Sequence, residues 1–254
     1  MPVSEIIKDR AVVLKHYDYG ESSIVAVALT RSHGKVRILA KGARRSKSAL
    51  QGVLRTGNLC EVILYFRPER GLQVLKEIET VSTFETPRGD LERLCLFQAG
   101  LEIIDRSIVE READETVFDA FETFMRLLPE AADPWPVFFA LEIAVLKTIG
   151  SFPSTASCGR CRRHLDGEPL AIDPLSGLVT CLSCAGRGKR ALSGGSSSAI
   201  SGMERSGVAG AAGLSLARAE RKEIGELIHR LFVHHVDGYR LPNALRLCKG
   251  VSDR

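Results

Sequence analysis

Near residue 85 the hydrophobic pattern of this 254-residue chain changes period, and that change constrains its fold more than any other feature. Before it lie short β-branched runs: AVVLKHY (11–17), SSIVAVALT (22–30), KVRILAK (35–41), LCEVILYF (59–66) and LQVLKEI (72–78). The stretches DYGE, RSHG and RPERG between them read as turns. Five short strands in one compact stretch predict a small barrel or sandwich, and the strand number favours a five-stranded OB-type barrel over residues 1–84.

From Asp90 the spacing turns helical. LERLCLFQAGLEIIDRSIV (91–109) follows an acidic cap candidate, and residues 115–128 put Val117, Phe118, Phe121, Phe124, Met125 and Leu128 on one face. Asp133 is positioned to cap PWPVFFALEIAVLKTIG, with Gly150 as its stop. That helix is apolar almost all round, which predicts a central place in a helical core. Residues 193–213, SGGSSSAISGMERSGVAGAAG, read as a loose linker or a poor helix. A final helix over 215–236 carries Ile224, Leu227, Ile228, Leu231 and Phe232 on one face. The expected class is therefore α+β: an OB-type barrel (1–84), then a helical domain in two parts (85–154 and 191–254) separated by an insert (155–190).

The insert holds CGRC (158–161) and CLSC (181–184). A two-residue gap lets both thiolates of a pair turn toward one ion, and the intervening HLDGEPLAIDPLSGLVT has the turns of a hairpin. This is zinc-ribbon spacing, with Cys158, Cys161, Cys181 and Cys184 as ligands. Four cysteines leave no open position for water, so Zn2+ is expected in a structural role. Rubredoxin-like iron fits the same spacing. Cys60, Cys95 and Cys248 lie on apolar patterns and read as small buried hydrophobes.

The net charge of +4 hides an uneven distribution. Residues 22–60 contain no Asp or Glu but eight bases: Arg31, Lys35, Arg37, Lys41, Arg44, Arg45, Lys47 and Arg55. Residues 77–142 reverse this, with 16 acids against 5 bases. Alternation in KVRILAK puts Lys35, Arg37, Leu39 and Lys41 on one strand face, and Arg44, Arg45 and Lys47 extend the field. A polyanion partner is the expectation. Aromatics here are few, so contacts should fall mostly on phosphates, with little sequence preference and strong salt dependence.

No phosphate-binding G-x-x-x-x-G-K-[ST], no G-x-S-x-G and no H-E-x-x-H occurs. His229, His234 and His235 assemble no believable active site, so a non-enzyme is expected. MPVSEIIKDR does not read as a signal peptide and no run of about 18 apolar residues appears, so a cytoplasmic protein without membrane contact is expected.

GKVRILAKGARRSKS (34–48) and LEIAVLKTIGSFPSTASCGRC (141–161), with the rest of the layout, resemble the bacterial recombination mediator RecO family along essentially the whole chain. The resemblance implies a nucleoid-associated DNA repair protein that binds single- and double-stranded DNA and anneals complementary strands. It implies action with the RecR and RecF proteins, contact with the acidic C-terminal tail of single-strand-binding protein, and help in loading the recombinase RecA. The family's basic surface maps onto Lys35, Arg37, Lys41, Arg44, Arg45 and Lys47, and Arg55 adds to the same field; its zinc ligands, where present, map onto the four cysteines named above. The Gly/Ser/Ala run at 193–213 departs from the helix usual in the family. An RNA-binding or transcription-associated zinc-ribbon protein, or an adaptor whose basic face meets an acidic protein, would share several of these features.

Overall fold

The structure is a computed structural model that describes residues 5–46, 48–85, 90–165, 167–186 and 191–252. It divides into two compact units: residues 1–85 with 108–122, and residues 86–107 with 123–254.

In the first unit, β1 (Glu5–Tyr19), β2 (Ser23–Thr30), β3 (Gly34–Ala40), the one-turn α1 (Leu50–Val53), β4 (Leu59–Phe66) and β5 (Gln73–Ser82) follow in order. The strands close into a barrel in the order β1-β2-β3-β5-β4, with β4 returning to β1. Every pairing is antiparallel except β3 with β5, which meet in parallel at Ile38–Gln73 and Leu39–Val74. This is the five-stranded OB-like barrel expected from the strand count. β1 starts earlier than its β-branched run, because Glu5 to Val12 pair with β4 while Ala11 to Tyr19 pair with β2. A register shift between Val13 and Lys15 marks a bulge, which lets one strand serve both neighbours.

Alternation decides the core. Val36, Ile38 and Ala40 of β3 turn inward to meet Ala11, Val13, Ile24, Ala26, Ala28, Val62 and Leu64. Leu50 and Val53 of α1 pack against the same core. Asn58 donates through Nδ2 to the carbonyl of Val53 at 2.9 Å, satisfying an end of α1 that is too short to satisfy itself. Four residues are too few to show a period, which is why α1 is invisible in the sequence.

The helices are α2 (Leu91–Ser107), α3 (Glu115–Leu127), α4 (Pro134–Thr148), α5 (Gly194–Ala211), α6 (Arg218–His235) and α7 (Asn243–Ser252). Between α4 and α5 lies a small sheet of β6 (Leu170–Ile172), β7 (Val179–Cys181) and β8 (Ala191–Leu192) in the order β7-β6-β8. α4 is buried along most of its length, as its all-round apolar character requires. Asp133 caps it by accepting from the Trp135 N–H, and Gly150 leaves it in the left-handed region at φ 68°.

Of the two readings of 193–213, a loose linker or a poor helix, the structure takes the second: the segment is α5, kinked at Gly207 (φ 61°, ψ −161°). Ser193 caps it, accepting from the Ser196 N–H at 3.3 Å. Its Gly/Ser/Ala composition is a poor intrinsic helix former. Packing along α4 overrides that, with Ser196, Ser197, Ile200, Ser201 and Met203 buried. α7 closes the chain against α2. Cys60 and Cys95 are buried as expected, and the side chain of Cys248 lies outside the described residues.

Candidate nucleic-acid interface and metal centre

The eight bases of residues 22–60 do not form one uniform strip. The first group faces acids from residues 110–122, which belong to the same unit. Glu115, Asp119 and Glu122 recur at helical spacing on α3. Arg31 takes Asp119 through two bonds, Nε to Oδ1 at 2.9 Å and Nη2 to Oδ2 at 3.1 Å, and reaches Glu115 at 2.9 Å. Arg10 meets Glu122 at 2.8 Å. Arg37 meets Glu110 at 2.7 Å. Arg31 holds the Asp119 carboxyl below its ordinary range, so acidification breaks this pair only after ordinary carboxylates have protonated. The Lys35 backbone bridges to Glu110 and accepts from the Arg111 N–H at 3.0 Å, and its side chain is buried. Gly34 passes so close to the backbone of Glu112 that a Cβ there would sit 2.3 Å from its carbonyl oxygen. Part of the acidic middle thus neutralises the barrel's own cations.

In the second group, Lys41, Arg44 and Arg45 follow the end of β3, and Arg55 follows α1. Lys41, Arg45 and Arg55 are exposed, and no acid among the described residues is paired with them. A turn with Gly42 at φ 70° starts this loop, closed by the Arg45 N–H to the Gly42 carbonyl. Arg44 fastens the loop to the β1–β2 hairpin. Its N–H donates to the Ser22 carbonyl at 2.9 Å, and its guanidinium donates to the Gly20 carbonyl and pairs with Asp18 at 3.2 Å. Lys47 lies outside the described residues. Charge counting also passes over Arg67 and Arg70 in the β4–β5 turn, and over Lys15, Tyr17 and Tyr19 on the outer stretch of β1. The signal for the last three is the period-two alternation of KHYDY.

Four cysteines converge in the second unit. The Sγ atoms of Cys158, Cys161, Cys181 and Cys184 all lie within 4.8 Å of one another, with Cys161 and Cys181 separated by 3.9 Å. A tetrahedral ion with metal–sulfur bonds of about 2.3 Å sets its sulfurs about 3.8 Å apart, so the set fits such an ion. Each CxxC pair sits on a tight turn. Arg162, at φ 63°, returns its N–H to the Cys158 carbonyl at 2.9 Å, and the Cys184 N–H reaches the Cys181 carbonyl at 3.0 Å. The Gly159 N–H donates to Val179, tying the first turn to β7. Backbone N–H groups of Cys161 and Cys181 draw the Cys158 thiol down to about 6. The sulfurs of Cys181 and Cys161 drive Cys184 up to about 12. The cluster accepts the first negative charge readily and resists the last, a repulsion that a bound cation relieves. No helix among the described residues is long and apolar enough to cross a membrane.

Comparison with known proteins agrees with this layout. The family model described as "Recombination protein O N terminal" matches residues 3–84, and "Recombination protein O C terminal" matches residues 88–244. A DNA repair protein RecO of Anaeromyxobacter dehalogenans (strain 2CP-C) is 30% identical over 238 residues, covering 92% of this chain and 93% of that relative. One from Moorella thermoacetica is 29% identical over 182 residues, covering 71% and 67%. One from Salinibacter ruber is 34% identical over 146 residues, covering 58% and 48%. With both family regions matched along the sequence, the chain belongs to the RecO family of DNA repair proteins.

Proposed function

We propose that this chain is a non-catalytic recombination mediator that grips DNA through phosphate contacts. Lys41, Arg44, Arg45, Lys47 and Arg55 form the primary surface, and Arg37 contributes secondarily. Its pair with Glu110 is half-exposed, and such pairs are worth about 0–1 kcal/mol, so a phosphate can displace the acid. Lys35, being buried, acts through field more than contact. The observation that carries this reading is the exposed cationic loop Lys41–Arg45 on an OB-like barrel in a chain that both RecO regions match. Annealing of complementary strands, cooperation with the RecR and RecF proteins, and help in loading RecA onto strands covered by single-strand-binding protein complete the proposal. The four-cysteine centre takes Zn2+ in a structural role, with all four positions closed by thiolates.

The decisive assay is annealing of complementary oligonucleotides coated with single-strand-binding protein. Faster annealing with this chain than without it is the expected result, and equal rates defeat the proposal. A strong preference for RNA in direct binding would point to a different role.

Neutralising two of the cations tests the surface itself. Lys41→Gln with Arg45→Gln should weaken binding about equally for unrelated sequences. The plot of log affinity against log salt should flatten by roughly 1.4 on single strands and roughly 1.8 on duplex. Titrations between about 50 and 200 mM salt measure this. Loss confined to one sequence would contradict phosphate reading.

A further inference from the structure

We propose that Tyr17 and Tyr19 form a stacking platform for the bases of single-stranded DNA. The idea rests on the DNA-binding reading above and adds a contact that distinguishes single strands from duplex.

β1 outlasts its pairing with β4. Its pairing with β4 ends at Val12, so the stretch from Lys15 to Tyr19 pairs only with β2. All five residues of that stretch are exposed. Strand alternation puts Lys15, Tyr17 and Tyr19 on one face and His16 and Asp18 on the other. The register identifies the faces. Asp18 lies opposite Ile24, a core residue, so its side is the inner one. Tyr17 lies opposite Val25, which pairs with Leu39, and Lys15 opposite Val27, which pairs with Arg37. The tyrosines therefore share the outer face with the cations of β3.

Both rings are open, at 45% and 52% exposure for Tyr17 and Tyr19. Among the described residues neither hydroxyl makes a hydrogen bond and neither ring meets another. A single exposed tyrosine needs no explanation. Two on one strand face, with a basic loop bonded to the tip of the same hairpin, form an aromatic surface inside a cationic field. The nearest acid on the strand, Asp18, points to the other side and is neutralised by Arg44.

The spacing selects the ligand. Residues two apart on a strand are about 6.7 Å apart, roughly twice the 3.4 Å step along one strand of duplex DNA. Rings so placed match an extended strand with unstacked bases, whereas a duplex keeps its base faces covered. OB folds hold oligonucleotides on strands 2 and 3 and on the loops joining strands 1–2 and 4–5, and this hairpin carries the first of those loops. Aromatic stacking tolerates every base, so the contact adds no sequence preference.

The test compares Tyr17→Ala, Tyr19→Ala and the Phe variants on oligothymidylate and on a duplex of equal length. Each Ala variant should weaken single-strand binding about five-fold or more and leave duplex binding within about two-fold. Phe should retain the affinity, and the salt dependence should keep its slope because no phosphate contact is lost. Ultraviolet crosslinking of wild-type protein to an iodouracil oligonucleotide should label the tryptic peptide 16–31. Equal loss on duplex and single strand, or no label on that peptide, overturns the platform. Unchanged Ala variants beside a weakened Lys41→Gln, Arg45→Gln protein overturn the platform and leave phosphate binding standing. Absence of any DNA binding by wild-type protein overturns both.

Discussion

Protein carrying Cys181→Ser is expected to lose its bound metal and the fold of the ribbon with it. Cys181 ends β7, is 1% exposed, and lies 3.9 Å sulfur to sulfur from Cys161. The ribbon has little else to hold it. Its strands are three, three and two residues long, and among the described residues its buried apolar side chains other than cysteine are Leu165, Leu170, Ala171, Ile172, Val179 and Leu192. A structural zinc contributes an apparent binding energy of about 10–16 kcal/mol, far more than a core of that size supplies. Metal content should fall from one equivalent to none, and limited proteolysis should cut between residues 155 and 192. A strong chelator should produce the same cleavage in the unaltered protein. A variant that kept a full equivalent of metal and resisted cleavage would refute the four-ligand site. β8 runs directly into Ser193, the cap of α5, so the first turn of that helix should fray as well.

Asp133→Ala is the second large effect. This buried carboxylate serves two segments far apart in sequence. Oδ1 accepts from the Trp135 N–H at 3.1 Å, capping α4. Oδ2 accepts from the Leu216 N–H at 2.9 Å and pairs with Arg221 at 3.1 Å, fixing the entry to α6. Loss of the cap costs about 1 kcal/mol, and the Leu216 N–H, left buried without an acceptor, costs a further 1–3 kcal/mol or so. A total of about 3 kcal/mol is expected, read as a lower urea midpoint at unchanged slope. The chain's only tryptophan is Trp135, beside the lesion, so its fluorescence reports the transition. Asp133→Asn keeps an oxygen for the cap and should cost less. Equal losses for Asn and Ala would mean that the charge, and not the cap, carries the effect.

These two sites differ in how far they could be read in advance. The cysteine spacing is a local property, because each CxxC turn needs only its own four residues to aim two sulfurs. Asp133 could be recognised as a cap from the proline that follows it. Its bond to Leu216 could not, since 83 residues separate the two. The barrel was legible for a similar reason: alternation such as Val36, Ile38, Ala40 is written along one strand, and OB closure follows once five strands must bury such faces. α5 could be read only as one of two alternatives, because its Gly/Ser/Ala residues are weak helix formers and packing against α4 decides for the helix.

Charge shows the division most clearly. By itself the sequence determined that the barrel is basic, that each CxxC turn brings two thiols together, and where strands give way to helices. Each of these depends on neighbours within one element or one turn. Tertiary structure decided which cations are spent. It laid Glu110, Glu115, Asp119 and Glu122 against Arg37, Arg31 and Arg10, and left Lys41, Arg45 and Arg55 without an acid among the described residues. It also exposed Tyr17 and Tyr19 on the stretch of β1 that runs past its pairing with β4. A Coulomb interaction depends on distance in space, and only the folded chain sets that distance between residues some 70 to 110 positions apart.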